Sequence, residues 1–248
     1  MSESVPRSPT HTPSPTPSHS ESLSSALGSV GVYLEPKTVI NVFGPPMVGK
    51  SVLAILLAKA VAKRVVVLAA EPSYEEPRYL KLLTEATGFE PDIRYVKYFS
   101  QAREAFRELR DCTIVVDSVS ALADREMAYW LTKTSEPRVV AARIVPMTRA
   151  LALAARLWAN EREGFVVLVT HATSTAGAFR YRGLADLKPS LAMRAGHYID
   201  YELLLTVEDD GTRTLTVVAS RATPWAEGRQ LMLRFTKGGV EVVRPANK

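Results

Sequence analysis

Apolar positions follow two regimes along the chain. Between Thr38 and Thr170, four short runs are continuously apolar: "TVINVF", "VVVLAA", "TIVVD" and "FVVLVT". None alternates, so each is expected to be a strand covered on both faces, the pattern of a parallel sheet. The stretches between them carry helical spacing. Helices are predicted over Ser51–Arg64, over "EEPRYLKLLTEATG", over Gln101–Arg110 and over Glu136–Glu163, with a small strand near "IRYVKYF". Ser135 is the expected N-cap of the long helix, Pro137 suits its first turn, and Pro146 is expected to kink it. Strands alternating with helices predict an α/β fold, a mostly parallel sheet flanked by helices.

The last third follows the other regime. "YELLLTVED", "TRTLTVVAS" and "RQLMLRFT" are strand-like with no helix between them, and "DDGT" (Asp209–Thr212) and "KGG" (Lys237–Gly239) are turn signals. A C-terminal antiparallel β extension is therefore expected to join the parallel sheet. At the other end, residues 1–22 are almost all Ser, Pro, Thr and His. Nothing there can form a core, so a disordered Ser/Pro-rich tail is expected, followed by one domain over residues 23–248.

Composition changes this picture only a little. The chain has 248 residues, 46% of them hydrophobic, enough to bury a sizeable core in one domain. Its single cysteine, Cys112, excludes an internal disulfide and fits a reducing compartment. The longest Ala/Leu-rich stretch is broken by Arg143, Pro146, Arg149 and Arg156, so no membrane span is expected. The N-terminus lacks the apolar core of a signal peptide, which points to the cytoplasm. The net charge of +5 fits a polyanionic partner, and it fits ordinary surface charge as well. Asn and Gln are scarce and Arg is plentiful, a balance found in proteins of heat-loving sources.

The chemistry concentrates where the first strand ends. Gly44, Pro45, Pro46, Met47, Val48, Gly49, Lys50 and Ser51 match G-x-x-x-x-G-K-[ST], between an expected strand and an expected helix that continues with Val52. Glycines let backbone N–H groups face phosphates, and the helix N-terminus adds positive potential. Lys50 is expected to reach the β- and γ-phosphates of ATP, and Ser51 to ligate Mg²⁺. Asp117 ends "TIVVD" at the C-terminal edge of its strand, where it can hold a Mg²⁺ water. Glu71 ends the second strand at the same edge and is the candidate general base for hydrolysis. Glu75 and Glu76 are rivals, but they fall at the expected start of the next helix, where acids suit the dipole.

These segments together resemble the RecA-superfamily P-loop ATPases, and among them the archaeal RadA/RadB-like recombinase paralogues. The resemblance runs from about Ser22 to Val243. It is carried by "VFGPPMVGKS", "AAEPSYEEPRYL", "TIVVDSVSAL", "FVVLVTHAT", "RAGHYID" and "ATPWAEG" in that order. It implies a RecA-like fold with a late β-meander at one edge, and Mg²⁺-dependent ATP hydrolysis stimulated by DNA. It also implies ATP held between subunits or at their border, hence a homo-oligomer. Single-stranded DNA would bind through two loops, one over roughly Leu122–Glu136 and one from about Thr173 to Arg194. Arg78 stands where the family stacks an arginine on adenine.

The departures shape the function expected. The family's fourth strand usually ends in Asn-Gln, whose Gln senses the γ-phosphate, and here the pair is His171-Ala172. The Ala172 side chain cannot bond to phosphate, whereas an imidazole at His171 can donate to a phosphate oxygen. The family's Phe-x-x-Ala polymerisation segment has no counterpart before Phe43, so an accessory paralogue is expected rather than a strand-exchange filament. The strongest local sign of DNA binding is "AFRYRGLADLKPSLAMRAGHY". There Phe179, Arg180, Tyr181 and Arg182 interleave aromatics with cations, and Lys188 and Arg194 add charge. Cations neutralise phosphates, and aromatics stack on bases without demanding sequence.

Two readings remain open on the sequence. One is an ATPase that binds single-stranded DNA and assists recombinational repair. The other is a nucleotide-gated protein-binding module, slow or inactive in hydrolysis: an accessory that docks on the main recombinase, another RecA paralogue or a signalling partner, or else a KaiC-like signalling ATPase.

Overall fold

The computed structural model describes residues 22–174, 187–189 and 196–243. Of the expected tail, only Ser22 lies among them. It caps the short helix α1 (Leu23–Ser29), its side chain accepting from the Ser25 N–H.

The chain then alternates as the apolar runs predict. Strand β1 (Thr38–Gly44) leads into α2 (Lys50–Val61), and β2 (Val65–Ala69) into a 3-10 turn (Pro72–Glu75) and α3 (Pro77–Thr87). Next come β3 (Asp92–Tyr95), α4 (Phe99–Glu108), β4 (Thr113–Asp117), α5 (Val119–Leu131), α6 (Pro137–Glu161) and β5 (Phe165–Ser174). A short β6 (Leu187–Pro189) pairs antiparallel with β5. The last strands are β7 (Tyr201–Val207), β8 (Arg213–Ser220), β9 (Gln230–Thr236) and β10 (Gly239–Val243). The sheet order is β10-β9-β8-β7-β1-β5-β4-β2-β3. From β3 to β7 the neighbours are parallel, and from β7 to β10 they are antiparallel. The expected extension is therefore present, with one difference: its first strand, β7, lies parallel to β1 and completes the parallel part.

Period-two alternation sorts the strand side chains into two cores. Val65, Val67, Val115 and Val167 face α2, where Leu53, Ile55 and Leu57 are buried. Val66, Leu68, Ile114, Val116 and Leu168 face α4, α5 and α6, whose Phe106, Leu122 and Trp158 fill the other core. Continuous apolar runs were needed because both faces are covered.

Local expectations are corrected in two places. The long helix starts from Glu136, which caps without a side-chain bond, and not from Ser135. Pro137 at the first helical position fixes that boundary, because its missing N–H is one the helix would leave unpaired anyway. The helix runs on through Pro146, which removes the donor that the Ala142 carbonyl would have used. The stretch expected as a first DNA loop is largely helix α5. Ser118 caps it by accepting from the Ala121 N–H, and its Ala, Leu, Arg, Glu and Met content favours helix.

One ion pair ties the parallel layer to α6. Asp200 Oδ2 accepts from the Val39 N–H at 2.8 Å and from Arg156 Nη2 at 2.5 Å. Arg156 also donates to the carbonyls of Lys37 and Tyr198. Among the described residues no helix is long and apolar enough to cross a membrane.

Candidate functional site

The glycines of the loop after β1 are fixed by steric need. A Cβ on Gly44 would stand 2.2 Å from the Leu205 carbonyl oxygen. Gly49 sits at φ +98, and a Cβ there would meet the Phe235 ring at 2.1 Å. Met47, at φ 63, is fully exposed at the loop tip. Val48 is buried in the core beneath it.

α2 opens with Lys50, one residue earlier than expected. Lys50 is 7% exposed, and its Nζ donates to the Pro45 carbonyl at 2.6 Å. Burial lowers its pKa, and the charges of Asp117 and Glu71 oppose that.

The carboxylates arrive from neighbouring strands. β2 and β4 are paired with Ala69 opposite Asp117, so Glu71 leaves β2 beside the end of β4. The Ala70 and Glu71 N–H groups both donate to the Asp117 carbonyl. The Asp117 side chain is buried. Its Oδ2 accepts from the Tyr74 hydroxyl at 2.6 Å, and the Ser51 hydroxyl also bonds to the carboxylate. Burial raises the Asp117 pKa; the bonds from Ser51 and Tyr74 lower it, nearby Glu71 raises it, and Lys50 lowers it.

Glu71 Oε1 accepts from the Ser118 hydroxyl and lies 3.3 Å from His171 Nε2. The hydrogen bond from His171 is the largest cause that lowers the Glu71 pKa. Burial opposes it, and Ser118, the His171 charge and Lys50 reinforce it. His171 comes from β5 opposite Gly44, and its own N–H donates to Ser120 Oγ at 2.8 Å.

Lys50, Ser51, Glu71, Asp117 and His171 line a single open cleft of about 710 Å³, together with Pro46, Met47, Gly49 and Val52. Its apolar wall is Tyr79, Leu82, Leu83 and Ala86 of α3. These four follow i, i+3, i+4, i+7 spacing and so share one helix face. Arg78 is one residue, or about 100°, off that face and does not line the cleft. Of the expected DNA-contact residues, Lys188 lies in β6 opposite Thr173. Phe179, Arg180, Tyr181, Arg182 and Arg194 lie outside the described residues.

Three participants were missed in the sequence. Tyr79 read there only as a residue of the expected helix, and Tyr74 only as part of the segment "AAEPSYEEPRYL", although each follows closely on Glu71. Ser118 directly follows Asp117, and its capping position was the available signal. Among the described residues no cluster of three or more His, Cys, Asp or Glu could hold a metal by itself. The adjoining Ser51 hydroxyl and Asp117 carboxylate are hard oxygen donors, a pair that suits Mg²⁺ completed by waters and phosphate oxygens.

A mostly parallel sheet with a G-x-x-x-x-G-K-S turn at the end of β1 and a C-terminal antiparallel edge is the RecA-like P-loop fold. Solved structures share it. A RadB recombinase covers 89% of this chain over 97% of its own length, with a TM-score of 0.62 and 18% identity. A KaiC-like protein from the hyperthermophilic archaeon Pyrococcus horikoshii covers 84% of this chain over 90% of its own length, with a TM-score of 0.55 and 13% identity. The resemblance carried by the six sequence segments is thus met at the level of the fold. No protein-family model matches the chain, and no curated protein matches it.

Proposed function

We propose that this chain binds ATP in the cleft with Mg²⁺ and hydrolyses it, as a RecA-type ATPase that binds single-stranded DNA and assists recombinational repair. The observation that supports this most is the convergence of Lys50, Ser51, Asp117 and Glu71, drawn from α2 and the ends of two strands, on one cleft. Lys50 would exchange its bond to Pro45 for the β- and γ-phosphates, as the loop N–H groups gather around them. Ser51 and Asp117 would hold Mg²⁺, which supplies charge neutralisation at the phosphates. Glu71, kept ionised by its donors, would take a proton from the attacking water. His171 would donate either to that carboxylate or to a phosphate oxygen, and the adenine would rest on the α3 wall beside Arg78.

DNA binding is supported by the aromatic and cationic residues 179–182, by Lys188 and Arg194, and by likeness of fold to a RadB recombinase. The source we propose is a thermophilic archaeon, the site of action the cytoplasm, and the partners the main recombinase or a second copy of the chain.

A second reading is favoured by one observation. Glu71 is occupied by both Ser118 and His171, and Ala172, the residue after His171 in β5, has no polar side chain. That arrangement suits a nucleotide-gated binding module with slow hydrolysis. ATPase rates with and without single-stranded DNA decide between the two. Stimulation supports the first reading, and ATP binding without turnover supports the second. If a Lys50→Ala variant retains full ATP affinity, both fail.

A further inference from the structure

Tyr74 touches Asp117 but has no role in the function proposed above, and the structure gives it an unusual position. It lies in the turn Pro72–Glu75, three residues beyond Glu71, and its side chain is fully buried. A buried phenol needs a partner for its hydroxyl, and this one donates to Asp117 Oδ2 at 2.6 Å. The ring is fixed from several sides. The Tyr74 N–H donates to the Glu71 carbonyl, and the Tyr95 hydroxyl donates to the Tyr74 carbonyl at 2.7 Å. Its ring meets the edge of Tyr79, with centroids 5.2 Å apart. Tyr79 in turn reaches the Ser51 hydroxyl. One oxygen of the Asp117 carboxylate is therefore occupied by a rigidly held phenol, and this fixes the rotation of the whole group. A carboxylate that binds a metal gains affinity from such an outer partner, because its orientation is set before the metal arrives.

We propose that Tyr74 is a positioning residue for the metal site: its hydroxyl aims Asp117 at the divalent cation that accompanies the nucleotide. This rests on the nucleotide-site reading above. A simple packing role would need the ring alone, whereas this role needs the oxygen.

Tyr74→Phe removes only that oxygen. The probes are ADP and Mn²⁺. Calorimetry measures ADP affinity in EDTA, and electron paramagnetic resonance measures Mn²⁺ affinity of the ADP complex. The expected result is a loss of about tenfold in Mn²⁺ affinity, with ADP affinity in EDTA held within about twofold of the parent chain. Unchanged Mn²⁺ affinity would overturn the proposal, and so would an equal loss of both affinities. If the parent chain bound ADP in neither condition, the nucleotide-site reading itself would fall, and this inference with it. Should Tyr74→Phe not fold, Tyr95→Phe takes its place, since it removes only the bond to the Tyr74 carbonyl from a half-exposed edge side chain. It should lower Mn²⁺ affinity in the same direction by a smaller factor, and no change there would equally overturn the proposal.

Discussion

Glu71 is the residue on which the proposed catalysis and its pH dependence would turn. Its pKa is lowered, first by the hydrogen bond from His171, and the Ser118 bond adds to this against the opposing effect of burial. Both bonds favour the charged carboxylate. The folded value thus lies below the unfolded one, so the stabilisation is complete above the unfolded pKa. It fades as pH falls through the folded pKa. In His171→Ala the largest lowering cause disappears, the pKa rises, and the acid limb of kcat should move to higher pH. Ser118→Ala should move it the same way by less. A pH–rate profile of each variant checks the order of the shifts. Glu71→Gln should abolish turnover while leaving ATP affinity intact, which equilibrium binding and phosphate release test separately.

Elements hold these residues in register, and two contacts make that testable. Gly49 joins the phosphate loop to the C-terminal hairpin, since Phe235 of β9 stands where a Cβ would go. Gly49→Ala should destabilise the fold by more than about 1 kcal/mol through its left-handed backbone and this overlap. Adding Phe235→Ala should recover the overlap but not the backbone cost, as urea melts of the single and double variants would show. The second contact is the Asp200–Arg156 pair, which joins the starts of β1 and β7 to α6. Its side chains are only 15–19% exposed. Asp200→Ala should cost about 2 kcal/mol, because it removes a charged hydrogen-bond acceptor that serves two donors. A denaturation midpoint measures it.

At the scale of the molecule, β5 runs from the cleft toward the segment proposed above to bind DNA. This strand carries His171 in the cleft and continues through Thr173, which pairs with Lys188. If the segment that begins after Ser174 grips single-stranded DNA, Arg180→Ala with Arg182→Ala should weaken binding. It should also reduce the slope of log affinity against log salt by about one for each phosphate that is no longer neutralised. Unchanged affinity and slope would remove the DNA assignment and leave the nucleotide cleft untouched.

Much of this molecule was legible in the chain because it is encoded locally. The doubly covered strands announce themselves as unbroken apolar runs. The glycine and lysine spacing of the phosphate loop follows from its own backbone geometry, and Glu71 and Asp117 are found by counting to the end of a run. The features that escaped depend on who neighbours whom. The parallel pairing of β7 with β1 was hidden because a strand's own pattern does not state its partner's direction. The helix α5 was hidden behind an expected loop, although its residues favour helix. The rotation of α3 puts Tyr79 and not Arg78 on the cleft, and Tyr74 meets Asp117 across 43 residues of chain. The sequence by itself determined most of the elements and the spacing of the loop after β1, since both are set by residues adjacent in the chain. Only the tertiary structure decided which side chains surround the carboxylates, because long-range packing fixes strand order and the contacts across it, and these leave no periodic trace.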